Sequence, residues 1–412
     1  MASNADVLVV GGGVAGVAAS VAAARQGCSV VLLERAGFLG GSATAALVGT
    51  VCGLYYRSPV GPRYASPGFP QEFGEQIRLK SRTEPCSFAE SLWFLPYEPF
   101  QFKLACDDLL REHDVRVLFH ATLDAVERDG AKVAKARALV WNRHAWINLG
   151  AIVDCSGEAT AAYLAGVGHH SEVQYQAGAM VFRMEGVGQC ETQTLKLSMM
   201  REVARAIRDG TLASEFERLS LIPGTFRQGS LLLKLGLAQR VSDGVQSVSW
   251  LESDAREKVR RIADFLLEHV PQFAAAHLGE VASQIGVRSG RRAVGAALLT
   301  EDDVLTARKM EDGVAIGSWP IEEWGDERAP TMEYFAMDDH YEIPLGCLLD
   351  KEITNMFFGG RCISASERAL ASARVMGTAL GSGYAAGTAA AYVSRGRSIS
   401  EAVQFLRETE LQ

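Results

Sequence analysis

Val7-Leu8-Val9-Val10-Gly11-Gly12-Gly13-Val14-Ala15-Gly16 is the stretch that decides the fold. A β-branched run ends in glycines. An alanine-rich segment, residues 14–26, follows and stops at Gly27, and residues 29–33 read as a second strand that leads to Glu34. Strand, glycine turn, helix and second strand with short connections is the βαβ order of a parallel, doubly wound sheet. The glycines fit G-x-G-x-x-G, and Glu34 stands roughly 20 residues beyond Gly11, the spacing at which an acid reaches the adenosine ribose of a dinucleotide. Gly11 permits the tight turn, Gly13 leaves room for a pyrophosphate against the backbone, and Gly16 lets helix and strand touch. The helix start, at Val14 and Ala15, offers free N–H groups to the anion.

Directly after Glu34-Arg35 comes Ala36-Gly37-Phe38-Leu39-Gly40-Gly41-Ser42-Ala43-Thr44. Here the sequence resembles the glutathione-reductase-type FAD-dependent oxidoreductases, in which a Gly-Gly pair past the ribose acid carries the chain along the pyrophosphate toward the flavin. NAD-binding dehydrogenases lack that element, so the resemblance implies FAD. It continues at Ile152-Val153-Asp154-Cys155-Ser156-Gly157-Glu158, Gly286-Val287-Arg288-Ser289-Gly290-Arg291-Arg292 and Leu299-Thr300-Glu301-Asp302-Asp303-Val304. It closes at Phe358-Gly359-Gly360-Arg361-Cys362, Arg374-Val375-Met376-Gly377 and Gly387-Thr388-Ala389-Ala390. Most of the chain outside residues 53–95 and 190–270 is covered.

The cofactor-binding residues this resemblance implies are Gly11, Gly13, Val14, Ala15, Gly16, Glu34, Arg35, Gly40, Gly41, Ser42, Ala43, Thr44, Leu123, Ser156, Gly157, Gly360, Arg361, Val375, Met376 and Gly377. The turn at residues 360–362 is expected along the pyrophosphate and ribityl chain. The helix beginning near Val375 is expected to aim its N-terminus at the flavin N1/O2 edge, where its dipole favours the negative charge of reduced flavin. Glu158 replaces the commoner Asp, and Ile343-Pro344 is followed by Leu345-Gly346 where the family often has Tyr-Arg. Aromatic hydroxylases of related fold place Asp where this chain has Arg361. The Trp-x-Trp-x-Ile-Pro signature of flavin halogenases is not matched by Trp319-Pro320-Ile321 and Trp324. Gly381-Ser382-Gly383 with Gly387 echoes a second fingerprint but has no strand before it, so a second nucleotide domain is not expected.

The fold class expected is α/β: a Rossmann-like FAD-binding domain, a parallel sheet with helices on both faces, plus a mixed α+β substrate or cap domain. The first takes residues 1–52, 96–172 and 338–412, the second 53–95 and 173–337. Residues 100–113 read as helix, Asp129-Gly130 as a turn between strand patterns, and 147–155 as a strand. In the cap, strands are expected at 179–184 and 230–235 and helices near 194–208 and 257–268. Residues 53–70 hold four prolines and three tyrosines and read as a long irregular loop, a surface excursion or a lid. Residues 375–393 carry no charge, but their Gly, Ala, Ser and Thr content points to a buried internal helix, not a membrane span.

The net charge is −8 without a basic run, which argues against nucleic acid and anionic membrane surfaces as partners. The eight cysteines are scattered with no Cys-x-x-Cys, against a zinc ribbon, an iron–sulfur cluster or a redox pair. Without a secretory signal at the N-terminus, the cytoplasm is the expected compartment. His169-His170 lacks companions at ligand spacing, and no metal is expected.

Arg288, Arg291 and Arg292 would share a face if helical, and Arg288 is the candidate clamp for a substrate carboxylate or the balance for reduced flavin. In Asp338-Asp339-His340-Tyr341, His340 is the candidate general base, with Tyr341 beside it. Cys52 and Cys362 are read as packing residues near cofactor segments, and Thr300 with Asp303 as a helix cap. The reaction expected is hydride transfer between a small organic substrate and flavin N5, by a dehydrogenase or oxidase reoxidised by oxygen, a quinone or a protein electron acceptor. The alternatives are a flavin-dependent monooxygenase and a non-catalytic FAD-binding electron-transfer subunit.

Overall fold

In the computed structural model, which describes residues 3–170, 176–240, 245–325 and 329–411, the opening strand Ser3–Val10 lies parallel between Val30–Leu33 and Arg143–Asp154. Arg116–Leu118 extends the sheet past Val30–Leu33, and Met356–Phe358 pairs with the last residues of Arg143–Asp154, both in parallel. The first half of Arg143–Asp154 pairs instead with Lys132–Val140, which forms a hairpin with Ala121–Asp129. The hairpin turns at Asp129-Gly130, as its sequence indicates. The result is a mixed seven-stranded sheet, begun by the βαβ unit.

Side-chain alternation explains why the central strands read as unbroken apolar runs. Val7, Val9, Val30 and Leu32 face one core, while Leu8, Val10, Val31 and Leu33 face another. Strands buried on both faces carry apolar residues at every position. On the first face lie the helices Val14–Arg25, Pro99–Glu112 and Met376–Ser394. The opposite core is closed by the hairpin, through Leu123, Val133 and Ala136, and by the short helix Thr160–Leu164.

Residues 177–281 supply a four-stranded antiparallel sheet, ordered Leu219–Leu221, Leu231–Arg240, Ala177–Glu185, His277–Val281. The amphipathic helices Thr192–Arg208 and Val245–His269 pack on it through Leu195, Met199, Val259, Ile262 and Leu266. This core is separate from that of the seven-stranded sheet. Phe69, Phe73 and Ile77 of the helix Phe69–Ser81 join the cluster of Val7 and Val9. Much of residues 53–68 is irregular and is tied to a distant segment: Arg57 donates to the Phe335 carbonyl at 2.9 Å, and Asp338 N–H donates to the Arg57 carbonyl at 2.9 Å.

Met376–Ser394 is buried from Gly377 to Tyr392. Among the described residues no helix is long and apolar enough to cross a membrane. The Thr300–Asp303 cap is present in both directions: Asp303 N–H donates to Thr300 Oγ1 at 3.2 Å and Thr300 N–H to Asp303 Oδ2 at 2.9 Å.

Candidate cofactor and substrate site

The C-terminal ends of the parallel strands converge at the fingerprint. Gly11 N–H donates to the Leu33 carbonyl at 2.8 Å, Cys155 N–H to Val10 at 2.8 Å, and Gly359 N–H to Asp154 at 3.0 Å. Gly11 has φ +99°, and a Cβ there would stand 2.5 Å from the Cys155 carbonyl oxygen. A Cβ on Gly16 would stand 1.8 Å from the Gly11 carbonyl oxygen. Both glycines are demanded by the protein's own packing. Gly13 is different: the nearest atom to a Cβ there is Gly41 Cα at 3.8 Å. The Gly40-Gly41 segment runs alongside, with Gly40 N–H donating to the Gly12 carbonyl at 2.9 Å. Thr44 Oγ1 secures that turn by donating to the Leu39 carbonyl at 2.6 Å.

Glu34 is buried at the end of its strand. Its Oε2 accepts from Gly12 N–H at 2.7 Å and its Oε1 from Ala36 N–H at 2.7 Å. Two backbone donors therefore orient the acid while each oxygen keeps a further lone pair. Asp154 does related work on the neighbouring turn. Its Oδ1 accepts from Ser156 N–H and Oγ at 3.0 and 2.7 Å, and its Oδ2 from Ala161 and Ala162 N–H at 2.7 and 3.1 Å. Cys362 Sγ accepts from Gly157 N–H at 3.1 Å, and burial pushes this thiol up, so it stays protonated. Arg361 ties its turn to two segments, donating to Glu158 at 3.0 Å and to the Val287 carbonyl at 2.9 Å.

A glycine turn with a vacant Cβ position, a helix N-terminus behind it and an oriented acid about 20 residues on form a dinucleotide cradle. The protein family described as FAD dependent oxidoreductase matches this chain over residues 6–411. The chain belongs to that family. Its cofactor is FAD, and the cradle fits the dinucleotide: Gly13 leaves the diphosphate path clear, and Glu34 is presented for ribose. No curated protein matches the chain. Among solved structures, the flavin-dependent brominase Bmp2 aligns with TM-score 0.51 at 14% identity, covering 98% of this chain and 83% of that one. OxyS anhydrotetracycline hydroxylase from Streptomyces rimosus aligns with TM-score 0.50 at 11% identity, covering 98% and 65%. At these identities the likeness is one of fold.

A second set of groups gathers where the four-stranded antiparallel sheet meets Arg288, Glu322, Trp324 and Arg374. Lys234, from the cap strand Leu231–Arg240, places Nζ 4.1 Å from the Trp324 ring centroid, and the Arg288 guanidinium carbon lies 4.5 Å from the same centroid. Arg288 also donates to the Ala177 carbonyl. Glu322 is held by two indoles, accepting from Trp319 Nε1 at 2.9 Å and Trp324 Nε1 at 2.8 Å. Arg374 donates to the Glu322 carbonyl at 3.0 Å and to Gln176 Oε1 at 3.3 Å. Burial and the neighbouring Arg288 push Lys234 down to about 8, while burial and Arg374 push Arg288 down to about 9. The Glu322 carboxyl lies below its usual range despite burial, because Arg374, the Trp319 indole, Arg288 and Lys234 outweigh desolvation. Arg374 leads directly into the helix Met376–Ser394, and Val375, its N-cap, packs with Trp319 and Cys52. Burial pushes the Cys52 thiol up to about 12, in keeping with a packing cysteine.

Of the residues singled out for catalysis, only Arg288 enters this set. The chain at residues 287–291 is not helical, so the three arginines diverge. Arg291 stacks over Tyr163 at 4.6 Å, and buried Arg292 sits in a strand opposite His170. His340 Nδ1 lies 3.3 Å from the Tyr56 hydroxyl, and burial, with Lys309, pushes its pKa down. Tyr341 is fully buried, its hydroxyl 2.8 Å from Ser372 Oγ. Lys234, Glu322 and Trp324 were not apparent as site residues in the sequence. Lys234 did leave a signal: it is the one charge in Leu231-Leu232-Leu233-Lys234-Leu235.

Proposed function

We propose that this chain is an FAD-dependent dehydrogenase or oxidase that exchanges a hydride with a small organic substrate bound at the seam between the cap sheet and the FAD-binding elements. The observation that carries this reading is the seam cluster: Lys234 comes from the cap and Arg288 from the segment tethered by Arg361, while Arg374 precedes the N-terminus of Met376–Ser394. FAD supplies two-electron redox capacity at N5. Gly11, Gly13, Val14, Ala15 and Gly16 hold the diphosphate, with Gly40 and Gly41 alongside and Ser42, Ala43 and Thr44 leading away. Glu34, next to Arg35, holds the ribose, and Leu123, Ser156 and Gly157 flank the adenosine. Gly360 and Arg361 follow the ribityl chain, and Val375, Met376 and Gly377 present N–H groups to the flavin ring.

On the substrate side Arg288 orients the bound molecule. His340, which stands outside the seam set beside Tyr56 and whose pKa burial lowers, is kept as the candidate base for the substrate proton. Tyr341 positions that strand through Ser372. The test is anaerobic bleaching of the flavin by a panel of small acids, alcohols and amines, alongside chromatography of the cofactor released on denaturation. FAD is expected from the denatured protein. Arg288→Met and His340→Gln are expected to keep flavin content but to slow bleaching tenfold or more, about 1.4 kcal/mol in the barrier. Wild-type bleaching rates in both variants would remove those two residues from the mechanism, and recovery of FMN or no flavin would overturn the reading as a whole.

A further inference from the structure

We infer that Lys234 and Arg288 form a recognition site for a substrate carboxylate, with the Trp324 ring as the platform beside it and Glu322 as the group that holds that ring in place. The inference rests on the proposed oxidoreductase reading and names the substrate class for the same seam.

The argument begins with a lysine where the sequence calls for leucine. Lys234 occupies an apolar strand whose neighbours Leu233 and Leu235 are fully buried. Lys234 itself is half-buried, and holding its ammonium group partly out of water costs free energy unless an anion or polar partner meets it. Among the described residues neither Lys234 nor Arg288 makes an ion pair, and what meets both is the face of one indole, at 4.1 and 4.5 Å. A cation over an indole recovers only about 0.5–2 kcal/mol.

The charges around them do not balance. Among the described residues Lys234 and Arg288 have one carboxylate near them, Glu322, which Arg374 also attracts and whose two oxygens already accept from the indoles of Trp319 and Trp324. Cys52, the remaining titratable group of the cluster, is a neutral thiol. The N-terminus of Met376–Ser394 adds further positive potential next to Arg374. Among the described residues, Lys234 and Arg288 have no anion of their own.

The chemistry of the two cations selects its kind. A guanidinium recognises a planar carboxylate through paired N–H donors, and an ammonium adds a point charge. Arg288 spends one nitrogen on the Ala177 carbonyl, which fixes the fork and leaves the other donors for a ligand. The indole beside both cations offers a flat apolar surface for the carbon skeleton that carries the carboxylate.

The test uses the FAD-loaded enzyme. Propionate and benzoate are titrated against their uncharged amides, propionamide and benzamide, and followed by the flavin absorbance. At least one acid is expected to perturb the flavin with a Kd tenfold or more below that of its own amide. Lys234→Met is expected to weaken that acid at least tenfold at unchanged FAD content, and Lys234→Arg to restore most of it. Where Lys234→Met fails to fold, Arg288→Lys serves as the second variant with the same expected loss. Amides that bind as well as acids, acids that leave the spectrum untouched, or acid binding indifferent to both variants would each overturn the inference. A lowered flavin midpoint potential with carboxylate affinity intact would also overturn it, by assigning the cations to reduced flavin. Failure of the underlying oxidoreductase reading shows separately, as absence of bound FAD or of any bleaching.

Discussion

A side chain on Gly383 would stand 2.2 Å from the carbonyl oxygen of Ala15. One turn on, Gly387 has the same relation to Ala19, also at 2.2 Å. The long glycine-rich helix and the fingerprint helix therefore run in backbone contact. The close approach couples the helix that starts at the glycine fingerprint to the helix Met376–Ser394.

Gly383→Ala is expected to destabilise the protein by roughly 1–3 kcal/mol, the usual cost of overpacking a filled interior. Thermal melting with and without added FAD measures it. An unchanged melting temperature would mean that the two helices separate without cost.

Gly13 and Gly16 make a paired test of the cradle. Gly13 has φ −70° and no protein atom closer than 3.8 Å to an added Cβ, whereas Gly16 has an oxygen at 1.8 Å. Gly13→Val is expected to keep a near-normal apoprotein melt and lose FAD, since only the diphosphate contests the space. Gly16→Val is expected to lose both. Circular dichroism and flavin content, measured on the same samples, distinguish the two outcomes.

Lys234 gives the carboxylate site a pH signature. Burial and Arg288 depress its pKa to about 8, against smaller upward pulls from Glu322 and Cys52. As pH rises through that value the ammonium loses its proton and its attraction for an anion. Benzoate affinity should be flat below pH 7.5 and fall by up to tenfold per pH unit above about 8. Arg288, although burial and Arg374 lower its pKa, keeps its guanidinium charge over this range and adds no second fall. In Lys234→Arg the first step should vanish. Titrations between pH 6.5 and 9.5 decide the matter.

Glu410 should set part of the stability profile. It is 5% exposed, and burial raises its pKa from 4.5 to about 7 although Phe69 N–H donates to its Oε2 at 2.8 Å. A carboxyl raised on folding binds more protons in the native chain than in the unfolded one, so its contribution to stability is full below 4.5 and declines as pH rises to 7. Glu410→Gln keeps an acceptor for Phe69 and removes the charge. Relative to wild type it should gain on the order of 3 kcal/mol between pH 4.5 and 8. Urea unfolding at the two pH values measures the difference.

Much of the cofactor half was legible because its code is local. Gly11, Gly13, Gly16 and Glu34 lie within one βαβ unit, and their spacing carries geometric meaning before any tertiary contact forms. The uncharged stretch at 375–393 likewise showed a buried helix, since only contact with another backbone explains so much glycine. The spacing of Arg288, Arg291 and Arg292 misled for the complementary reason: positions three and four apart share a face only in a helix, and residues 287–291 are not helical.

The substrate side shows the limit. Lys234 is a lone charge among leucines, a signal not used in reading the sequence; its partner Trp324 lies far along the chain, and Arg288 and Arg374 come from other segments again. By itself the sequence determined the βαβ start, the dinucleotide fingerprint and the oriented acid, because hydrogen bonds and steric limits between near neighbours repeat with a fixed period. Only the tertiary structure decided which charges share the seam, because Lys234 on its strand and Trp324 on a distant segment meet only in the packed chain, and that juxtaposition has no period in the sequence.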